Sequence, residues 1–415
     1  MKRCLNLILA GCFTCLVQAQ TQDSLSVEQL EPFTYTFDVK DGKLMGNGKT
    51  FLEQEIANAQ FTMIGEYHGS KRISEFTEAI IPILDGLGYK AMALEVGPVT
   101  GQQLNTLQGD IEGEIKKLHQ EYMMKESDGY VNTSLPFFDY KEDAQFLQAV
   151  KDRSWEVFGI DQEFYDGYIM LLDQMFDNLS ANLKKQYSVL YSETKSELQQ
   201  FYKDDQDDKE NLHVALSNSK LFKDFLQKMS LEKQNLDIID AIKESSAIYL
   251  LYNNRKWYEN NATRITYMKS QLKKGLTHLN FDLSKDKLLI KMGGYHLSKG
   301  FSPLGLYEVG NTLNEIAEYH GNTALNIGFM SRFSKEGDTI TDNYTSENKY
   351  FKARKDLLQM GKENQWVVID LRRMIKGYFY YPKRFNLNPQ IVELVKRYDL
   401  LVIPKMEVEG TLNYD

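Results

Sequence analysis

Two segments of the chain place a glycine and a histidine directly after an apolar run, and the first of them also carries a glutamate. Residues 61–69 are FTMIGEYHG, with Glu66 and His68 two positions apart, and residues 287–296 are KLLIKMGGYH, which ends in His296. Histidine titrates near neutral pH and can take a proton from water, while a nearby carboxylate orients the ring and stabilises its charged form. The pattern is therefore typical of acid–base chemistry on an ester or a similar carbonyl compound.

Glu95 follows a third apolar run and widens the choice of chemistry. Together, Glu66, His68, Glu95 and His296 form a nitrogen and oxygen ligand set suited to a divalent metal, whose bound water would be the nucleophile. A purely structural explanation also exists, because a glutamate after a strand can cap a helix and a histidine can be a hydrogen-bonded core residue. The residue types alone leave these alternatives open.

The elements that must position these residues can be predicted from periodicity. Short apolar runs bounded by Gly, Asp or Pro predict buried strands, and they cover residues 61–65, 90–96, 155–160, 287–292, 324–329, 366–371 and 399–404. Helical patterns alternate with them, at residues 73–87, 142–151, 312–319 and 389–397 among others. This alternation predicts an α/β fold with a largely parallel sheet flanked by helices.

In a parallel sheet, ligands meet the residues just beyond the carboxyl ends of the strands. This rule predicts that one edge of the sheet carries Glu66, His68, Glu95, Asp161 and His296, together with the pair Asp370 and Arg372. We take Glu66, His68, Glu95 and His296 as candidate catalytic residues.

Arg264 lies on a predicted helix that leads toward the fourth strand. An arginine there can bind an anionic group or an oxyanion, so Arg264, Asp161 and Tyr67 are the candidate substrate-binding residues. The other four histidines lie in polar contexts and are expected to be exposed; they are His119, His213, His278 and His320.

Residues 165–276, approximately, interrupt the alternation with charged sequence that favours helices. We expect a helical insertion within one domain of residues 20–415. The insertion is either a lid over one end of the sheet or a solvated subdomain that touches no ligand.

The first 19 residues have the layout of a secretory signal peptide, with Lys2 and Arg3, an apolar stretch and a small residue, Ala19, before the expected cleavage site. We therefore expect an exported protein, periplasmic or secreted. The alternative is a membrane-anchored lipoprotein, because Leu9 to Cys12 resembles a lipoprotein box in which Cys12 would be acylated. All three cysteines lie in this segment, so the mature chain is expected to lack a thiol nucleophile and a disulfide.

The 415-residue chain has a formal net charge of −9 and 42% hydrophobic residues, which fits a globular protein and disfavours nucleic acid as a partner. No GxSxG elbow, HExxH pair, Walker loop or strand-linked GxGxxG occurs in the sequence. A small-molecule substrate is the expected partner, and a membrane is expected only if Cys12 is acylated. The oligomeric state is not predicted.

In their order along the chain, seven motifs resemble the landmarks of the erythromycin-esterase-like proteins: IGEYHGS, GYKAMALEVGP, FGID, ATRITYM, KLLIKMGGYHLSKG, VVIDLR and YDLLVIP. The Gly-Glu-x-His form also resembles haem-uptake and Tiki-type proteins. Two departures stand out. One residue separates Glu66 from His68 where the esterases usually have two, and Gly293 and Gly294 stand where the family has His-Asn.

The resemblance implies an α/β core with helical additions and hydrolysis of a ring ester by histidine-activated water, without a metal. It assigns the first-motif glutamate and base to Glu66 and His68, the second acidic position to Glu95 and the last histidine to His296. We therefore predict an exported, esterase-like hydrolase with no cofactor. The alternative is an envelope protein that binds haem, a metal or another small molecule in the same crevice without catalysis.

Overall fold

The computed structural model describes residues 25–125, 131–381 and 387–414. The predicted signal peptide, the lipoprotein box and the three cysteines lie outside these residues.

The described residues contain strands that fall into one large sheet and two small ones. They are β1 (Thr34–Lys40), β2 (Lys43–Met45), β3 (Phe61–Glu66), β4 (Ala91–Leu94), β5 (Met124–Lys125), β6 (Val131–Asn132), β7 (Glu156–Gly159), β8 (Leu288–Gly293), β9 (Ala324–Phe329), β10 (Phe333–Glu336), β11 (Thr339–Asp342), β12 (Trp366–Asp370), β13 (Leu400–Ile403) and β14 (Glu407–Val408). The seven strands predicted from the sequence are β3, β4, β7, β8, β9, β12 and β13, each displaced by no more than about two residues at either end.

The large sheet has the order β2-β1-β12-β13-β9-β3-β8-β4-β7. From β13 to β7 all neighbours are parallel, whereas β12 is antiparallel to both β13 and β1. The predicted α/β fold with a largely parallel sheet is therefore confirmed.

The direction of β12 overturns one prediction. Strand β12 is antiparallel to β13, which belongs to the parallel part of the sheet. Its carboxyl end therefore lies at the opposite edge of the sheet from the carboxyl ends of β3 and β8. Asp370 and Arg372 therefore do not join the other polar residues. Instead, Arg372 pairs with Asp370 and with Glu55 of an adjacent helix. The prediction failed because an apolar run does not reveal strand direction.

Helices cover both faces of the sheet. The helices are α1 (Val27–Leu30), α2 (Asn47–Ala57), α3 (Lys71–Gly86), α4 (Pro98–Thr106), α5 (Ile111–Tyr122), α6 (Lys141–Lys151), α7 (Tyr168–Asp177), α8 (Ala181–Gln206), α9 (Leu212–Asn218), α10 (Lys220–Met229), α11 (Leu236–Asn253), α12 (Trp257–His278), α13 (Val309–Tyr319), α14 (Lys349–Lys352), α15 (Lys355–Leu358), α16 (Leu371–Tyr380) and α17 (Pro389–Arg397).

Alternate residues of the central strands enter two different cores, because successive side chains of a strand point to opposite faces. Met63 and Ile290 pack in a core with residues of α12 and α13. Ile64 and Leu289 pack in the core that contains residues of α3 and α6. By the same alternation, the side chain of Lys291 in β8 points toward α3 and α6. A cation buried there needs an anionic partner.

The chain between β7 and β8, all of which the structure describes, forms helices and turns and contributes no strand. Helices α7 to α12 occupy this segment, and α12 returns the chain to β8. None of the helices in the described ranges is long and apolar enough to cross a membrane.

A close contact between α4 and β7 fixes the edge of the sheet. Gly101 of α4 and Gly159 of β7 approach so closely that a Cβ on either would collide with the backbone of the other segment. Beside them, the buried Glu163 accepts hydrogen bonds from Val99 N at 2.6 Å and from the Thr100 hydroxyl at 2.7 Å. Since Glu95 and Asp161 follow β4 and β7, this packing sets the position of both carboxylates.

Candidate active site

Four adjacent strands, β3, β8, β4 and β7, end at the same edge of the sheet. Glu66 is the last residue of β3 and is paired in register with Gly293, the last residue of β8. Glu95 follows β4 directly, and Asp161 lies two residues beyond the end of β7. The structure thus brings the strand-end residues of the parallel part of the sheet into one cluster.

Glu66 lies buried between a cation and a histidine. One carboxylate oxygen is paired with the ammonium group of Lys291, and the other lies 3.3 Å from Nδ1 of His68. Burial raises the pKa of the Glu66 carboxyl, but the charge of Lys291 and the hydrogen bond with His68 outweigh burial, so the pKa is lowered overall. Glu66 is therefore ionised at neutral pH.

Lys291 is itself only 3% exposed, which is rare for a lysine. Its ammonium group lies 5.1 Å from the centroid of the Phe146 ring, on α6. A second buried carboxylate, Asp143 of the same helix, also interacts with this charge. Lys291 thus supplies the positive charge that keeps Glu66 ionised in a buried layer beneath His68.

His68 lies between two carboxylates. Its Nδ1 atom faces Glu66, and its Nε2 atom lies 3.7 Å from Oε2 of Glu95. Burial lowers the pKa of His68, but the hydrogen bond with Glu66 and the charges of Glu95 and Glu66 outweigh burial, so the pKa is raised. With 39% of its side chain exposed, His68 can meet a ligand from solvent.

The ring of Phe137 holds the imidazole of His68 from one side. The two rings stack with centroids 3.9 Å apart and an interplanar angle of 14°. Phe137 adopts a positive φ of 65°, which is strained for an aromatic residue and is often found at functional sites. The stacking therefore fixes the orientation of the imidazole at a cost in backbone energy.

Glu95 is the hub of the cluster. It accepts a hydrogen bond from the backbone N–H of Gly293 and another, at 3.1 Å, from Nη2 of Arg264. Its two oxygens also lie 3.7 Å from His68 Nε2 and 3.5 Å from His296 Nε2. Since Glu95 is 4% exposed and contacts four polar groups, it holds the two histidines and the arginine in fixed relation.

Arg264 enters the cluster from α12, within the helical segment. Its Nε donates to Oδ1 of Asp161 at 2.9 Å, and Nη2 pairs with both Asp161 and Glu95. Burial lowers the pKa of Arg264, but the two carboxylates raise it overall. Asp161 therefore pairs with Arg264 and holds it in place. Through Arg264, the helical segment contributes a cation to the site.

His296 lies in the helical turn that follows β8 and is buried. Its Nδ1 atom is 3.0 Å from Oε2 of Glu308, which is completely buried, and Nε2 faces Glu95. The hydroxyl of Ser302 donates to the other oxygen of Glu308 at 2.7 Å. Glu308 thus orients His296 through the nitrogen that does not face Glu95.

Tyr67 lines the cavity, but its hydroxyl is engaged elsewhere. It donates to Oε2 of Glu407 at 2.7 Å, and the Ser70 hydroxyl donates to the same oxygen at 2.8 Å. Burial and the charge of Glu407 raise the pKa of Tyr67 well above its usual range. The contact ties the loop that carries His68 to β14 near the end of the chain.

Gly293 and Gly294 lack side chains where other groups need the space. A Cβ on Gly293 would lie 3.2 Å from Glu95 Oε2 and 3.2 Å from His68 Nε2. A Cβ on Gly294 would lie 3.0 Å from the Tyr398 hydroxyl, which donates to the Gly294 carbonyl at 2.7 Å. Tyr398 thus occupies the position that a side chain at residue 294 would take.

A cavity of about 560 Å³ opens above the cluster. Glu66, His68, Glu95, Arg264 and His296 all line it. A second cavity, of about 450 Å³, shares Glu95, Phe137 and Arg264 with the first and is lined mainly by the helical segment. Arg264 therefore links the helical segment to the first cavity, and other residues of that segment line the second cavity beside it.

Two histidines that were expected to be exposed are buried. His119 is 0% exposed, with Nε2 2.9 Å from the Phe138 carbonyl oxygen, and His213 is 4% exposed with its ring stacked on Tyr249. Burial lowers the pKa of His213 to about 4, so it is neutral. Each histidine lies on the face of its helix that packs inward, and its polar neighbours in the sequence do not reveal that face. His278 and His320 are exposed.

Sequence reasoning did not single out Lys291, Glu308 and Tyr398. Of these three, only Lys291 could have been recognised from the sequence, because a lone cation inside an apolar run requires a buried anionic partner. Glu308 and Tyr398 come close to the site through turns and helices that have no recognisable motif.

The described residues contain no group of three or more His, Cys, Asp and Glu side chains arranged to hold a metal ion. The donor set agrees with that finding, because Glu66 and Glu95 are each already paired with a cation, Lys291 or Arg264. The arrangement fits acid–base chemistry better than a divalent metal bound by Glu66, His68, Glu95 and His296.

No protein-family model matches the chain, and no curated protein matches its sequence. Among solved structures, a mutant erythromycin esterase in its open conformation aligns with a TM-score of 0.55 and 14% identity, covering 92% of this chain and 99% of that one. A succinoglycan biosynthesis protein aligns with a TM-score of 0.52 and 13% identity, covering 92% and 97%. A Bacillus cereus protein aligns at 0.50 and 16%, covering 93% and 98%.

At these identities the likeness shows the fold and not the activity. The chain has an α/β fold that an erythromycin esterase shares over nearly the whole length of both proteins. The resemblance that the ordered motifs indicated is therefore confirmed at the level of the fold.

Proposed function

We propose that this protein is an exported, esterase-like hydrolase in which His68 activates a water molecule to attack an ester or related carbonyl substrate. The observation that carries the proposal is the clamping of a partly exposed imidazole between two buried carboxylates at the floor of a cavity. The proposed reaction uses no metal or haem. Export is proposed from the first 19 residues alone.

The two sides of the His68 ring differ in a way that suits a general base. Nδ1 is within 3.3 Å of Glu66 and can donate its proton there, which leaves the lone pair on Nε2. Nε2 is 3.7 Å from Glu95, beyond ordinary hydrogen-bonding distance, so a water molecule can approach it from the cavity. Glu95 then stabilises the imidazolium that forms.

The proposed reaction is balanced without another reactant. The oxygen of water bonds to the carbonyl carbon while one proton passes to Nε2 of His68. The tetrahedral intermediate then collapses, the bond to the leaving oxygen breaks, and that oxygen takes the proton from His68. The products are a carboxylic acid and an alcohol, and the base is regenerated.

Arg264 and His296 complete the proposed site. Both line the cavity and contact Glu95, so the hub carboxylate fixes them on the same side as His68. A guanidinium group near the carbonyl can stabilise the negative charge that develops on its oxygen. His296 is a second proton carrier or a donor to the same oxygen.

Turnover of a panel of esters and lactones by the purified protein tests this function. We expect hydrolysis by the wild type and a loss of at least about a hundredfold in His68→Ala, since general base catalysis contributes 10²–10⁴-fold. The matched control is His320→Ala, which removes an exposed histidine and should keep full activity. If no substrate is turned over while His68→Ala abolishes the binding of a small molecule, the protein is a binding protein and the proposal is wrong.

A further inference from the structure

The cavity above His68 also carries two arginines that take no part in the carboxylate cluster. Arg354, from the junction of α14 and α15, and Arg397, from the end of α17, both line it. Tyr350 and Tyr398 lie with them, and Leu394 contributes an apolar surface. We call Arg354 and Arg397 the arginine pair.

The guanidinium group of Arg354 is held by Tyr350. It stacks on the ring of Tyr350, with Cζ 4.0 Å from the ring centroid, and Nη1 donates to the Tyr350 carbonyl at 2.8 Å. Within the described ranges of the chain, no carboxylate forms an ion pair with it, and its Nε atom is buried without a hydrogen-bond partner. Arg354 therefore brings to the cavity a guanidinium group with a buried donor that lacks a partner, and an anion bound there could accept a hydrogen bond from it.

Only some of the hydrogen-bond donors of the Arg397 guanidinium group have a partner in the described residues. Its Nη2 donates to Oε2 of Glu393 at 2.9 Å, but Glu393 is half exposed and is also shared with Lys396. The Nε atom of Arg397 is buried and has no partner among the described residues. With 17% of its side chain exposed, Arg397 keeps donors available toward the cavity.

Tyr398 places the arginine pair next to the proposed catalytic groups. Arg354 and Arg397 line the same cavity as this ring, and their charges oppose the rise that burial causes in the pKa of its phenol. The same phenol donates to the carbonyl of Gly294, in the turn that leads to His296. One tyrosine therefore separates the arginine pair from the turn that carries His296.

The carboxylates of the cavity do not neutralise the arginine pair. Glu66 is paired with Lys291, and Glu95 is paired with Arg264. Neither carboxylate forms an ion pair with Arg354 or with any other arginine of α14 to α17 that the structure describes. The two parts of the cavity thus differ in charge. The carboxylates near the histidines are paired with cations, whereas Arg354 and Arg397 contact only one carboxylate between them in the described residues, the half-exposed Glu393.

We propose that the arginine pair binds an anionic group, a carboxylate or a phosphate, on the molecule that occupies the cavity. The inference rests on the proposed function in that this molecule is the ester cleaved at His68. Phe329, Leu394 and Leu401 also line the cavity, so the anionic group and the ester are joined by a short apolar segment. Arginine suits this role because its planar fork matches carboxylate and phosphate oxygens.

Kinetics with matched esters test the substrate class. Three 4-nitrophenyl esters of equal chain length, ending in a methyl group, a carboxylate or a phosphate, are compared by kcat/KM. We expect at least one anionic ester to exceed the neutral ester by about tenfold or more, as for a hydrogen bond to a charged group. In Arg354→Gln and Arg397→Gln the ratio should fall toward one, whereas the control Arg373→Gln, an exposed arginine of α16, should leave it unchanged.

A binding measurement separates this inference from the proposed function. Titration calorimetry of inorganic phosphate and of glutarate into His68→Ala requires no turnover. If either anion binds and Arg354→Gln abolishes binding, the arginine pair is an anion site even when no ester is hydrolysed. If the esters are hydrolysed with no preference for the anionic forms and neither anion binds, the inference is wrong while the hydrolase proposal stands. Arg354→Lys, which keeps the charge but not the fork, should retain part of the preference.

Discussion

Nε2 of His68 lies 3.7 Å from Oε2 of Glu95, whereas Glu66 contacts the other ring nitrogen, Nδ1. The charge of Glu95 therefore favours the protonated ring without holding a proton at Nε2. This relationship makes the pH dependence of the proposed reaction a test of the site.

A base must be neutral to accept a proton, so kcat/KM should rise with pH through the raised pKa of His68. The midpoint should lie above about 6.5, the ordinary value for histidine. In Glu95→Gln the midpoint should move to lower pH, because one of the charges that raise the pKa has been removed. The control Glu318→Gln, an exposed carboxylate of α13, should leave the profile in place. A midpoint that moves upward in Glu95→Gln would contradict the account.

Replacing Lys291 with methionine should destabilise the fold by about 3–5 kcal/mol, because a buried carboxylate, Glu66, loses its partner. Urea unfolding measures this change, with Lys273→Met, an exposed lysine of α12, as the control. The double variant Lys291→Met with Glu66→Gln should recover much of the lost stability, since no charge is left unpaired. It should not recover activity, because the partner of His68 Nδ1 has changed. Equal stability of wild type and Lys291→Met would contradict the ion pair.

Gly293→Ala should lower kcat/KM by about ten- to a hundredfold with little effect on folding. The backbone at Gly293 has φ −50° and ψ 135°, which alanine adopts without strain. The added Cβ would be 3.2 Å from the functional atoms of both Glu95 and His68, so the disturbance is confined to the site. Gly86→Ala, where a Cβ meets nothing within 4 Å, serves as the control. Full activity in Gly293→Ala would show that these two atoms need not be held in place.

Asp143 should make the fold less stable as pH rises through the neutral range. Burial raises its pKa to about 7, whereas an unfolded aspartate titrates near about 3.9. The folded state therefore binds the proton more tightly, and the stability this contributes is complete below about pH 4 and is lost as pH rises toward about 7. Asp143→Asn lacks this group, so its unfolding free energy relative to wild type should increase over that range. A constant difference across the range would show that Asp143 does not titrate.

Sequence patterns were sufficient for the parallel part of the sheet, because its strands are buried on both faces and appear as continuous apolar runs. They also placed Glu66, Glu95, Asp161 and His296 after the right strands. The direction of a strand cannot be predicted from an apolar run. The antiparallel β12 therefore places Asp370 and Arg372 at the edge of the sheet opposite to the one predicted.

The parts of the site that depend on tertiary packing could not be predicted. Glu308 reaches His296 from twelve residues away, and Tyr398 reaches Gly294 from the far end of the chain. Neither contact has a local pattern, because each arises only when the helices and turns have packed. The lysine inside an apolar run did indicate that Lys291 has a buried anionic partner, but only the pairing of β8 with β3 shows that this partner is Glu66.

The most direct test of the central claim is mass spectrometry of the reaction in water enriched in ¹⁸O, with an ester that the protein turns over. If His68 activates water for direct attack, the carboxylic acid product carries one ¹⁸O, the alcohol carries none, and the intact protein shows no acyl adduct during turnover. An acyl adduct on the protein, or ¹⁸O in the alcohol, would contradict the mechanism proposed for this site.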